Sequence, residues 1–322
     1  LSVNRSRSPA ATLFILGNLA VAFLGFGVVA ADEAPVVLYE TDHLGFGEDP
    51  YNLGFPGSYG IDVAIDGDAL MVADNIRWAD FGYVTSYERA TGGSWGRRTK
   101  FTNGDSVDIE GQRALVGNYY ACWNDQDETD CGSGYGFGAV KYFEQAGDGS
   151  WILQQSMRPS ASDLYAFGDD VVLSGSTAVA TAYLASGWYD DTAVLIFEQR
   201  RGAWEEVYEM RFEGTGFSMA LDGDTETLLI GEPAAGAGGV VHMYRLNARG
   251  RWRPRGTFAP AGLPPGAGFG ASVAIDGNRA VVGAPGAEMA FVFERGTSSG
   301  PWRERAQLEA EATAAGFGAR VA

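Results

Sequence analysis

Phe269-Gly270, then Ala274-Ile275-Asp276-Gly277-Asn278-Arg279, then Gly283-Ala284-Pro285 form a pattern that returns in altered form along this chain. Aligning the glycine ahead of each first strand gives Gly60, Gly104, Gly168, Gly216, Gly270 and Gly318, at spacings of 44, 64, 48, 54 and 48 residues. Three further landmarks keep step with those glycines. They are a tight-turn pair (Asp66-Gly67, Glu110-Gly111, Ser174-Gly175, Asp222-Gly223, Asp276-Gly277), a strand-closing aromatic (Tyr87, Phe143, Phe197, Tyr244, Phe293) and a tryptophan a little later (Trp95, Trp151, Trp204, Trp252, Trp302). A period near fifty residues with several short strands per unit predicts an all-β fold, a β-propeller of four-stranded antiparallel blades.

The last repeat shows why. Ala271 to Ile275 forms a first strand, Asp276-Gly277 supplies a two-residue hairpin turn, and Arg279 to Val282 returns as the second strand. A third strand runs from Met289 to Glu294 and a fourth from Trp302 to Leu308. Apolar runs in place of strict alternation fit a sheet covered on both faces, as neighbouring blades would cover it. The recurrent tryptophan is expected to open the outer strand and to pack between blades.

The repeats divide as 58–101, 102–157, 166–211, 215–258 and 268–309, with a partial unit at 316–322. That last stretch reads as the opening of a sixth repeat, so a truncated reading frame and an open arc with exposed edges are expected. Residues 32–57 form a linker carrying Val36-Val37-Leu38-Tyr39-Glu40, which resembles an orphan outer strand able to complete a last blade. Residues 1–31 hold Arg5 and Arg7, an apolar run from Ala10 to Ala31, and Asp32-Glu33 just after it. This is the form of a secretory signal, with an uncleaved anchor as the open alternative, and either places the repeats outside the cytoplasm. There Cys122 and Cys131, the only cysteines, are expected to pair as a disulfide.

Acids outnumber bases 41 to 23, for a formal charge of −18. Nucleic acid is excluded as a partner, because a backbone binder needs a basic face to displace counterions. A membrane enters only through the N-terminal segment.

Phe-Gly, Ser-Val-Ala-Ile-Asp-Gly, Val-Val-Gly-Ala-Pro, and Phe-Val-Phe-Glu-Arg followed by tryptophan together resemble the FG-GAP repeat of bacterial secreted proteins and of the integrin α-subunit propeller. The resemblance covers roughly residues 58 to 322 and is fullest in the last complete repeat; Asn103-Gly104 and Thr215-Gly216 replace Phe-Gly elsewhere. It implies a propeller, seven-bladed in the full protein, and a surface role in adhesion or ligand binding. Repeats of the integrin type hold calcium in an acidic loop between strands one and two. Here the two-residue turns leave no room for that loop except at Asp222-Gly223-Asp224-Thr225-Glu226, where Asp222, Asp224 and Glu226 are the weaker metal candidates.

Strand parity puts the loops between strands two and three on one face of a propeller. Three of them are long, and carry Trp78, Tyr119, Tyr120, Trp123, Tyr135, Tyr183, Trp188 and Tyr189 beside Asp80, Asp125, Asp127, Asp130, Asp190 and Asp191. Flat rings beside carboxylates suit a glycan or protein ligand; the alternative is that the rings only pack their own loops. Asp125, Asp127 and Asp130, between the two cysteines, are the better calcium candidates. Catalysis has little support. The only histidines are His43 and His242, and no metalloprotease, nucleophile-elbow or phosphate-loop motif occurs. The leading expectation is an exported, non-enzymatic ligand-binding propeller. The alternatives are an exported polysaccharide lyase or hydrolase using loop carboxylates, and a structural segment of a larger surface protein.

Overall fold

Each repeat folds into one antiparallel sheet because its first two strands are joined by a turn too short to do anything else. In four of the five repeats two residues separate them, and the glycine at the first position has positive φ: 58° at Gly67, 59° at Gly111, 61° at Gly175 and 55° at Gly277. That conformation strains any residue with a Cβ and matches the twist of the flanking strands.

The computed structural model describes residues 3–5, 58–75, 83–119, 121, 137–185, 191–214, 216–298, 300–310 and 316–322. A short strand β1 (Val3–Arg5) lies parallel to Val63–Ile65 at the inner edge of the first blade. That blade comprises β2 (Ser58–Asp66), β3 (Ala69–Asn75), β4 (Tyr83–Arg89) and β5 (Trp95–Asn103). Blade 2 is β6 (Ser106–Glu110), β7 (Arg113–Asn118), β8 (Ala139–Gln145) and β9 (Trp151–Met157). Blade 3 has a split inner strand, β10 (Leu164–Tyr165) and β11 (Val171–Ser174), both paired to β12 (Thr177–Leu184), then β13 (Asp191–Arg200) and β14 (Ala203–Glu213). Blade 4 is β15 (Ser218–Asp222), β16 (Thr227–Glu232), β17 (Val240–Leu246) and β18 (Trp252–Phe258). Blade 5 is β19 (Ser272–Asp276), β20 (Arg279–Ala284), β21 (Met289–Arg295) and β22 (Trp302–Glu309). Helix among the described residues is confined to a 3-10 turn at Pro285–Ala287, and no helix there is long and apolar enough to cross a membrane. The chain is thus a β-propeller of five four-stranded antiparallel blades. The strands foreseen for the last repeat are displaced by one or two residues at most. The pairing of Val3–Arg5 with β2 has no counterpart in the sequence pattern, where those residues precede an apolar run. The linker strand at 36–40 lies outside the described residues.

Between third and fourth strands the register slips in every blade just before the repeat's aromatic: at Ser86/Tyr87, Tyr142/Phe143, Ile196/Phe197, Met243/Tyr244 and Val292/Phe293. The extra residue lies on the fourth strand each time, at Arg98, Gln154, Val207, Arg255 and Arg305, and a bulge of this kind bends that outer strand. Phe143, Phe197 and Phe293, on the unbulged third strands, are buried in the inter-blade cores. The outer-strand tryptophan packs on the preceding blade. Trp252 joins Val179, Ile196 and Met210 of blade 3, and Trp204 meets Tyr142 of blade 2 edge-on at 5.3 Å.

The Phe-Gly and Gly-Ala-Pro signatures are two halves of one junction. Phe269 is fully buried between Val241 and Phe258 of blade 4 and Phe291 of blade 5. The carbonyl of Gly270 lies so close over Gly231 of blade 4 that a Cβ there would sit 2.0 Å from it. Ser218 Oγ donates to that same carbonyl at 2.8 Å. Gly283, Gly318 and Ser272 repeat the arrangement at the far side of blade 5, and Gly117, Gly168 and Ser106 at blades 2 and 3. Residues 316–322 therefore dock on blade 5 as the segments at Gly168 and Gly270 dock on blades 2 and 4. Glu288 secures them, accepting the Gly316 and Phe317 N–H groups at 3.0 and 2.8 Å.

Candidate functional site

The inner strands β2, β6, β11, β15 and β19 follow one another around a central cavity of about 1150 Å³, and β2 and β19 do not pack side by side. Strand parity gives the cavity two unlike mouths. At the mouth formed by the strand-one-to-two turns, each blade grips the next. Asp66 Oδ2 accepts the Gly111 N–H, Glu110 that of Gly175 at 2.9 Å, Ser174 Oγ that of Gly223 at 3.0 Å, and Asp222 Oδ2 that of Gly277. Asp222 also uses Oδ1, accepting Asp224 and Thr225 N–H at 2.9 and 3.1 Å. These side chains are occupied in holding blades together. Among the described residues no group of three or more Asp, Glu, His or Cys is arranged to hold a metal, the Asp222, Asp224 and Glu226 loop included.

The opposite mouth is built from the residues just after each Phe-Gly glycine. Two positions beyond it, blades 2, 4 and 5 place Ser106, Ser218 and Ser272, whose hydroxyls bridge to the next blade. Blades 1 and 3 place Asp62 and Asp170 there instead. A carboxylate cannot donate, so it must act differently. Buried Asp62 accepts Val63 N–H at 2.9 Å and, across the junction, Val107 N–H at 2.8 Å. Asp108, 1% exposed, repeats this one blade on, accepting Ile109 N–H at 2.8 Å and Leu173 N–H at 2.6 Å. Burial pushes the Asp108 carboxyl well up, Asp62 and Asp170 add to the rise, and the two N–H donors oppose it.

Asp105, Asp169 and Asp170 complete an acidic rim on the cavity wall, with Tyr119 beside them. Loss of solvent raises the Asp169 carboxyl, which accepts the Tyr183 hydroxyl at 2.8 Å. Burial again leads for Asp170, held well above the ordinary range with Asp62 and Asp169 contributing, while the Val171 N–H and Arg320 pull it back. Tyr183 is driven up by the same burial and by Asp169, so it stays a protonated donor, and its ring lies 5.9 Å from that of Tyr165. The bases in the cavity wall are Arg320 at this end and Arg279 at the other. The rim can therefore receive cationic or hydroxyl-bearing groups, with aromatic area alongside.

Of the aromatics singled out from sequence, Tyr119 lines this mouth and Tyr183 bonds to its rim; the long-loop face and the acidic mouth coincide at both. Trp78, Tyr120, Trp123, Tyr135, Trp188, Tyr189, the cysteines Cys122 and Cys131, and Asp125, Asp127 and Asp130 lie outside the described residues. Asp62, Asp105, Asp108, Asp169 and Asp170 were not among the sequence candidates. The signal for two of them was present: aspartate in repeats 1 and 3 where repeats 2, 4 and 5 have serine. His242 sits in β17, paired to Glu232 at 2.6 Å, with its ring tilted against that of Phe212 at 5.3 Å.

Residues 253–300 match the family model of the FG-GAP repeat. No curated protein matches the chain in sequence. Among solved structures, the periplasmic gluconolactonase of Pseudomonas aeruginosa is 16% identical, with 75% of this chain and 82% of that one covered and a TM-score of 0.38. A putative 6-phosphogluconolactonase from Bacteroides fragilis is 11% identical over 79% and 83%, with a TM-score of 0.41. One from Bacteroides uniformis is 11% identical over 79% and 84%, with a TM-score of 0.43.

Proposed function

Taking the chain as a five-bladed β-propeller that carries an FG-GAP repeat, we propose that it is an exported, non-enzymatic binding protein, with an adhesion-like role at the cell surface. Its glycan or protein ligand enters the mouth formed by blades 1 to 3. The observation that carries this reading is the meeting of Tyr119, Tyr183 and the acids Asp105, Asp169 and Asp170 at one end of the central cavity. The opposite mouth has its side chains committed to the fold. At the acidic mouth a ligand offering an ammonium or guanidinium group, or vicinal hydroxyls, would meet carboxyl groups and stack on a ring. Calcium bound by Asp125, Asp127 and Asp130 is the metal part of the same reading, resting on their sequence pattern alone. The export part of the reading rests on the apolar run at 10–31.

Arrays of glycans and of basic and neutral peptides test the proposal. The parent protein is expected to capture a ligand that the Asp169→Asn, Tyr183→Phe variant, still folded, binds at least about tenfold more weakly. Undiminished binding by the variant would remove this mouth from consideration. Titration calorimetry with Ca²⁺, parent against an Asp125→Asn, Asp127→Asn variant, tests the metal separately.

One feature favours the hydrolase alternative: burial, with Asp62 and Asp169 nearby, raises the Asp170 carboxyl well above the ordinary range, the direction a general acid needs. Turnover of an oligosaccharide by the parent, abolished in Asp170→Asn, would establish it in place of simple binding.

A further inference from the structure

The outer strand of blade 2 differs in kind from the other four. Strand β9 reads Trp-Ile-Leu-Gln-Gln-Ser-Met, without a charge or a proline. Strands β5, β14 and β22 carry several charges each, and β18 has two arginines around a proline. Charges and prolines on a terminal strand are what keep its open backbone edge from pairing with another chain. Three large hydrophobic side chains are exposed among the described residues, and two of them are neighbours on β9, Ile152 at 49% and Leu153 at 48%. The strand ends its sheet, in the order β6-β7-β8-β9. It carries the same bulge as the other outer strands, at Gln154, and is held in place just beyond it. Gln155 exchanges a pair of hydrogen bonds with the backbone of Trp204 in blade 3, at 2.9 and 2.8 Å, and Met157 is buried.

We propose that β9 is the docking edge for a second copy of this chain, the two strands pairing antiparallel about a twofold axis. Self-complementarity singles out that occupant. A twofold interface sets each residue near its own equivalents, so a charged edge strand meets like charge, which opposes pairing. An uncharged edge with two adjacent apolar side chains meets its match. The rest of the molecule works against the encounter, since each copy carries a net charge of −18. The dimer is accordingly small in area, weak, and strengthened by salt, which screens the repulsion while leaving the strand pairing intact.

Sedimentation velocity on the full chain, over a concentration series at low and moderate salt, tests this. The parent is expected to show a monomer–dimer equilibrium that tightens as salt rises. Leu153→Lys and, separately, Ile152→Lys should each weaken it by at least about tenfold, because each places two like charges near the axis. Both positions are exposed, and an unchanged melting temperature would show that the variants fold. Gln307→Lys, the same change on the charged edge of blade 5, should leave the equilibrium as it was. A parent that stays monomeric at every concentration and salt, or a dimer indifferent to both β9 variants, overturns the proposal.

Discussion

Gly231→Ala probes the junction that repeats through the fold. The new Cβ would lie 2.0 Å from the Gly270 carbonyl oxygen and 2.6 Å from Ser218 Oγ, where ordinary contact begins at 3.4 Å. Gly231 has no positive φ, so the backbone itself accepts alanine. The cost lies in the gap between blades 4 and 5. The Gly270 carbonyl must withdraw by more than an ångström, giving up the 2.8 Å bond from Ser218. Overpacking costs about 1–3 kcal/mol and the lost hydrogen bond about 0.5–1.5 kcal/mol, while alanine recovers about 0.4–1 kcal/mol by restricting the unfolded chain. The expected net loss is about 2–3 kcal/mol, read as a lowered urea midpoint in tryptophan fluorescence. Ser218→Ala alone should lose about 1 kcal/mol, which separates the bond from the clash. Gly296→Ala is the control, because a Cβ there meets nothing within 4 Å and the glycine has no positive φ. If Gly231→Ala unfolds at the same midpoint as Gly296→Ala, the account of the Gly-Ala-Pro glycine as the seat of the next blade is wrong.

Three further outcomes follow from the same geometry. Asp108→Ala strips the acceptor from two N–H groups on adjacent inner strands, and should destabilise by about 2–4 kcal/mol in chemical denaturation, with blades 2 and 3 exchanging amide hydrogen first. The folded protein holds the Asp170 proton more tightly than the unfolded chain does. Stability should therefore fall as pH rises from about 4 through the raised folded value, and Asp170→Asn should flatten that slope in melting curves taken across the window. Buried Arg295 donates to the Gly277 carbonyl at 2.7 Å and to Asn278 Oδ1 at 3.1 Å, with its guanidinium 4.5 Å from the Trp302 ring. Arg295→Lys keeps the charge but loses the planar fork, and should cost about 1–3 kcal/mol in the same assay.

The blades were legible because their signals are local and repeated. A turn glycine, a closing aromatic and a tryptophan mark each unit, and two-residue turns leave strand register no freedom. The bulge on each outer strand was not legible, since an extra residue such as Gln154 or Arg305 leaves no trace in an exposed strand without strict alternation. Nor was the junction, where Gly231 matters through a carbonyl 39 residues further on. The acidic mouth shows both sides of the problem. Tyr119 and Tyr183 stood out as aromatics in long loops. Asp105, Asp108 and Asp169 looked like ordinary acids in an acidic chain, and only the packing of five inner strands brings them to one cavity. Asp62 and Asp170 could have been found by asking where the repeat breaks its own rule, since serine at that position donates to a carbonyl of the next blade and a carboxylate cannot.

Hydrogen exchange mapped with and without the tightest ligand from the arrays is the most direct test of where this protein binds. Protection is expected around Asp105 to Asp108, at Tyr119 and over Asp169 to Leu173, which line the acidic mouth. Protection confined to the turns at Gly67, Gly111 and Gly175, or to the outer strands, would contradict the proposed site.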